Sequence, residues 1–136
     1  MSFKTANIFV NLPVADLQKS IAFFTELGFA FNPQFTDEKA ACMIVGDNIF
    51  AMLLQREYFQ TFTKKDIADA TKTTEMLLGI SAVNREEVDR FAELALSNGA
   101  TKYSEPADHG FMYQRAFADL DGHQWEIIWM DPAAIQ

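Results

Sequence analysis

At 136 residues, with 49% apolar side chains and 13 Phe, the chain has enough material for one well-filled core and too little for two independent domains. A formal net charge of −8 sets it against the phosphate backbone of nucleic acid and against anionic membrane surfaces, both of which repel such a protein at long range. Its one cysteine, Cys42, lies between Ala41 and Met43, so no internal disulfide can form; a buried thiol in a reducing compartment is the expectation.

The segment Met1-Ser2-Phe3-Lys4-Thr5-Ala6-Asn7 has no basic stretch followed by an apolar core, and no run in the chain approaches the ~18 apolar residues of a membrane span. The expected location is cytoplasmic. Residues 7–12 are rich in strand formers, and Asp16 is placed to cap a helix running to about Leu27. Leu17, Ile21, Phe24 and Leu27 fall on one face of that helix, and Gly28 is the residue type that ends helices. Strands are predicted at 29–35, 40–45 and 48–54, the last two joined by a tight turn at Gly46-Asp47.

Residues 55–74 are polar, with few periodic apolar positions, and read as a linker or lid. The first order of elements then returns. A strand is predicted at 75–81, and Asn84 with Glu87 offers a capping pair ahead of Val88, Phe91, Leu94 and Ala95 at helical spacing. Asn98-Gly99 stops that helix, and strands follow at 101–104, 111–119 and 123–130, the last two joined by a hairpin turn at Asp121-Gly122. The fold class is therefore α+β: two βαβββ modules, about 5–55 and 75–131, forming a curved mixed sheet or half-barrel within a single domain, with a partly open cavity expected between them.

Two stretches carry a resemblance to a known family. Ile8-Phe9-Val10-Asn11-Leu12-Pro13-Val14-Ala15-Asp16-Leu17, with Leu27-Gly28-Phe29, resembles the opening of vicinal-oxygen-chelate proteins, the glyoxalase, bleomycin-resistance and extradiol-dioxygenase group. Arg115-Ala116-Phe117-Ala118-Asp119-Leu120-Asp121-Gly122-His123-Gln124-Trp125-Glu126 resembles their closing strand, turn and strand, which carries a metal-binding Glu. The fold hosts lyases, dioxygenases and non-catalytic antibiotic-binding proteins, so the resemblance says less about the reaction.

The resemblance implies a divalent metal held by His and Glu from several strands. Carried over residue by residue, its ligand positions fall on Phe9, Met52, Leu77 and Glu126, with Glu75 taking the place of Leu77 if the register slips by two. Phe and Leu offer no lone pair and a Met thioether suits only soft metals, so the usual site does not follow and no cofactor is expected. The alternative is a metal-dependent lyase or dioxygenase with a rearranged set, Glu126 with Glu75 and His109 or His123.

Glu126 interrupts the apolar run Trp125, Ile127, Ile128, Trp129 and Met130, where an unpaired carboxylate would cost several kcal/mol. It reads either as a cavity carboxylate, acting as ligand or general base, or as the partner of Arg115 or of main-chain donors. Strand alternation places Asn7, Phe9 and Asn11 together, Phe50 with Met52 and Leu54, and Gln124 and Ile128 with Glu126. The expected lining is apolar and aromatic, with a few amides and one acid, which suits a partly hydrophobic small molecule. Those residues serve equally well as plain core. His109 is a candidate substrate contact at the cavity mouth, Tyr113 a candidate hydrogen-bond donor to a bound carbonyl or a half-buried strand tyrosine, and His123 a turn residue. The expectation is a small-molecule-binding protein of the glyoxalase and bleomycin-resistance type, with Glu126 as its tentative catalytic group. By analogy with the family it is a homodimer, with neither nucleic acid nor membrane as partner.

Overall fold

A computed structural model describes residues 2–135, which divide into two compact units, one ending at Ala68 and one beginning at Asp69. In the first unit β1 (Ile8–Val14) leads to helix α1 (Leu17–Glu26), followed by β2 (Ala30–Asn32), β3 (Ala40–Gly46), β4 (Ile49–Gln55) and a short helix α2 (Arg56–Phe59). The Asp16 carboxylate accepts the Lys19 N–H at 3.1 Å and so starts α1, satisfying a donor the helix cannot. The chain leaves α1 through Gly28 at φ 107°, a conformation that a side chain would strain.

The strands lie in the order β1-β4-β3-β2, with β1 and β4 parallel and the other pairs antiparallel. Register decides which residues share a face. Leu12 pairs with Leu53 and Ala41 with Leu53, and these are buried together with Val14, Met43 and Ala51 on the face that α1 covers with Leu17, Phe23 and Phe24. Each large side chain so enclosed contributes roughly 1.5–3 kcal/mol relative to an exposed one. The opposite face of the same sheet carries Phe9, Asn11, Met52 and Leu54.

The second unit repeats the plan. It holds β5 (Leu77–Ser81), α3 (Arg85–Ser97), β6 (Ala107–Asp108), β7 (Met112–Ala118) and β8 (Gln124–Met130), in the sheet order β5-β8-β7-β6. The Asn84 side chain accepts the Glu87 N–H at 2.8 Å, and the Glu87 carboxylate accepts the Val83 N–H at 3.0 Å, a reciprocal cap at the start of α3. Phe117, Trp125 and Ile127 are buried on the helix side with Val88, Ala92 and Ala95. Both units are thus βαβββ modules with an open four-stranded mixed sheet. Among the described residues no helix is long and apolar enough to cross a membrane.

Several boundaries differ from the sequence expectation for local reasons. The strand predicted at 29–35 stops at Asn32, because Pro33 opens a 3-10 turn whose Gln34 N–H is capped by the Asn32 side chain. The turn after β3 is Asp47-Asn48, with Gly46 drawn into a register shift of the β3–β4 ladder. The strand predicted at 101–104 is reduced to one bridge, Thr101 with Ala118, and pairing resumes only at Ala107, beyond Pro106, which has no N–H to give. The expected linker is not uniformly open chain: residues 56–62 are helical and belong to the first unit.

Candidate ligand-binding site

The open face of the first module holds a pocket of about 360 Å³. Its floor is Asn11 from β1, Met52 and Leu54 from β4, and Ala40 from β3, all of one sheet face by register. One wall is the 3-10 turn after β2, with Gln34, Phe35, Thr36 and Asp37, and the other is Tyr58 and Phe62 from the helical segment after β4.

Short-range hydrogen bonds fix both walls. The Thr36 hydroxyl donates to the Asn32 carbonyl at 2.7 Å and accepts the Cys42 N–H at 3.1 Å, tying the turn to the strand beneath it. The Asp37 carboxylate accepts the N–H groups of Lys39 and Ala40 at 2.8 and 3.0 Å. On the other side the Tyr58 and Phe62 rings meet edge to face at 5.1 Å, Lys39 Nζ lies 6.0 Å from the centre of the Tyr58 ring, and Gln60 Nε2 donates to the carbonyls of Thr63 and Lys65. Phe35 and Phe62 nonetheless remain 61% and 66% exposed, a large apolar area to leave facing solvent. Among the described residues the carboxamide of Asn11 and the hydroxyl of Tyr58 have no hydrogen-bond partner, so both are available to a bound molecule.

Of the residues singled out from the sequence, Phe9, Asn11, Phe50 and Met52 come together on this face. Asn11 and Met52 line the pocket itself, while Phe9 stacks on Phe50 with ring centroids 5.2 Å apart. Cys42 pairs with Met52 and is buried, and burial pushes its thiol above the usual range.

Glu126 belongs to the second module. Its neighbours across the sheet are Gly79 on β5 and Ala116 on β7, which puts it on the open face with Gln124, Ile128 and Leu77, away from α3. The carboxylate is half-buried, and Oε1 lies 3.6 Å from where a Cβ on Gly79 would sit. The suggested pairing with Arg115 does not occur, because residues 115 and 126 have opposite parity. Arg115 instead faces α3 and binds Asp89 at 3.3 Å and Glu93 at 2.6 Å. Tyr113 shares that helix side: its hydroxyl donates to Asp89 at 2.6 Å, and this acceptor raises the phenol above its ordinary value. It is thereby placed apart from Glu126.

His109 is exposed in the loop between β6 and β7, its N–H donating to the Met112 carbonyl at 2.8 Å. Glu75 is exposed ahead of β5, and His123 sits in the turn before β8 with its N–H on the Asp119 carboxylate at 3.1 Å. Among the described residues no group of three or more His, Cys, Asp or Glu side chains converges on one point, so Glu126, Glu75, His109 and His123 are not gathered into a donor set. The positions that the family resemblance assigns to ligands hold Phe9 and Met52 in the first module and Leu77 and Glu126 in the second, and three side chains of the Phe, Met and Leu kind do not fit a Zn²⁺, Ni²⁺ or Fe²⁺ centre.

Residues 7–46 match the family model described as bleomycin resistance protein-like N-terminal. In structure the chain is similar to a hypothetical protein, SA1046, from S. aureus, at 26% identity and TM-score 0.79, over 93% of this chain and 95% of that one. It is also similar to a glyoxalase/bleomycin resistance protein/dioxygenase family enzyme from Burkholderia phytofirmans PsJN, at 17% identity and TM-score 0.77, over 90% and 96% of the two chains. The fold is the one these glyoxalase/bleomycin resistance/dioxygenase neighbours share. The fosfomycin resistance protein FosX from Listeria monocytogenes is a third such neighbour, at 18% identity and TM-score 0.67, over 93% and 92% of the chains. No curated protein matches the chain.

The sequence reading missed both walls of the pocket. The signals were present: Asn32-Pro33 marks a capped turn, and Tyr58 and Phe62 stand four residues apart, one helical turn, in a stretch that reads as a linker or lid.

Proposed function

We propose that this protein binds a small, partly apolar organic molecule in the pocket of its first module, without a resident metal. The observation that carries the reading is the pocket itself: about 360 Å³ of space, with an apolar floor of Met52 and Leu54, aromatic walls at Phe35, Tyr58 and Phe62, and two polar groups, on Asn11 and Tyr58, left open. A molecule seated there removes exposed aromatic surface from water and gives partners to Asn11 and Tyr58, which is how such sites combine affinity with orientation. The matching family and fold neighbours are consistent with ligand binding, since FosX and the bleomycin-resistance-like family carry resistance to small molecules in their names.

Calorimetric titration with 2-naphthamide, a flat uncharged probe with one apolar and one amide edge, tests the proposal. Saturable one-to-one binding by the native chain is expected, together with its loss in Met52→Trp, where the added ring fills the floor. Binding that survives Met52→Trp undiminished, or no heat in the native chain up to the probe's solubility, contradicts it.

A further inference from the structure

The walls of the first-module pocket share a chemistry that its size and apolar floor do not by themselves reveal. Phe35 on one side, with Tyr58 and Phe62 on the other, brings three aromatic side chains to one space of about 360 Å³. Among the described residues that line it, Asp37 alone carries a charge, and that charge is negative. Oδ1 of Asp37 accepts the N–H groups of Lys39 and Ala40 at 2.8 and 3.0 Å, which fixes the carboxylate on the turn beside Phe35. Its Oδ2 has no hydrogen-bond or ion-pair partner among the described residues.

The face of an aromatic ring is electron-rich and attracts a cation within about 6 Å of the ring centre. Tyr58 already meets one in this way: Lys39 Nζ stands over its ring, 6.0 Å from the centre. Phe35 and Phe62 are more than half exposed, and among the described residues no cation of the chain stands over either. Rings on both walls and one open carboxylate oxygen favour a cation that is weakly hydrated, because a ring offers no hydrogen bonds to replace a tight shell of water. The net charge of −8 adds a long-range attraction for any cation and repels an anion of the same shape.

We propose that the molecule this pocket takes is an organic cation, an alkylated ammonium head on a small apolar body. The head sits among the rings of Phe35, Tyr58 and Phe62 beside the Asp37 carboxylate, and the body lies on Met52 and Leu54. This rests on the reading of the first-module pocket as the ligand site, and adds to it the sign of the ligand's charge. Lys39 opposes the bound head by like-charge repulsion, so its removal strengthens binding.

Two probes of one shape test the charge by NMR, reading the methyl signals of Met52 and Ala40 in the pocket: choline, and 3,3-dimethylbutan-1-ol, in which a carbon replaces the quaternary nitrogen. Choline is expected to shift both signals saturably and to bind at least about fivefold more tightly than the alcohol. Asp37→Asn, which keeps the oxygen that accepts the Lys39 and Ala40 N–H groups, and Phe62→Leu, at an exposed position, should each reduce that preference severalfold while leaving the alcohol's own binding within about twofold. Lys39→Gln should raise the preference. The proposal is overturned if the alcohol binds as tightly as choline, if choline leaves both methyl signals unmoved, or if the preference survives both Asp37→Asn and Phe62→Leu. Its failure is distinct from that of the pocket: 2-naphthamide that binds where choline does not leaves the pocket in place and removes only the cation.

Discussion

The indole N–H of Trp125 donates to Oδ2 of Asp119 at 2.9 Å, while Oδ1 of the same carboxylate accepts the N–H groups of Asp121 and His123 at 2.9 and 3.1 Å. One buried side chain thus closes the β7–β8 turn and anchors the core tryptophan of β8. Burial pushes the Asp119 carboxyl upward, and the His123 charge and the Trp125 N–H oppose that rise. Asp119→Ala strips three donors of their acceptor, and a loss of about 2–4 kcal/mol is expected from orphaned buried groups. Urea unfolding followed by tryptophan fluorescence measures it; a loss below about 0.5 kcal/mol would show the turn to be held by other means.

Gly122 completes the same turn at φ 90°, and a Cβ there would stand 2.8 Å from the backbone carbon and oxygen of Ala70. Neither neighbour is a flexible side-chain end. Gly122→Ala should cost more than about 1 kcal/mol, from the positive φ and from the displaced 69–74 segment together. Equal stability of the variant and the native chain would contradict the close approach.

Arg85 binds Asp108 through two bonds of 2.7 and 3.0 Å, donates to the Gly110 carbonyl, and stacks on the rings of Tyr113 and Trp129. The guanidinium holds the Asp108 carboxyl at about 2, well below the ordinary carboxylate range. A carboxyl depressed in the folded state contributes stability that is present above its unfolded value and lost as pH falls through the folded one. Between about pH 4 and 2 the native chain should therefore lose thermal stability relative to Asp108→Asn, with Trp129 emission changing over the same range. Parallel acid profiles of the two proteins would contradict the clamp.

Much of this fold was legible because it rests on periodicity and local chemistry. Leu17, Phe24 and Leu27 give α1 its buried face, Asp16 and Asn84 cap where capping residues should, and the parity of Phe9, Asn11 and Met52 foretold their shared face. Tyr113, open between ligand donor and half-buried strand tyrosine, and Arg115, one of the partners open to Glu126, both turn to α3 for a reason of the same kind: a strand bordered by α3 has two faces with polar partners, and single-chain alternation does not say which face a side chain takes. Phe35, Tyr58 and Phe62 escaped because their role depends on how a capped turn and a short helix fold back over a sheet, a nonlocal outcome that composition obscures.

Metal analysis after dialysis addresses the absence of lone pairs at Phe9 and Leu77. Substoichiometric zinc, nickel and iron are expected, with the melting temperature unchanged by chelator; one tightly held divalent ion per chain would contradict the reading of these positions.

The occupancy of the first-module pocket is tested most directly by nuclear Overhauser contacts from bound 2-naphthamide to methyl-labelled Met52 and ring-labelled Phe62. Contacts to both, at saturating probe, are the predicted result. Saturable binding that produces contacts to neither would contradict it.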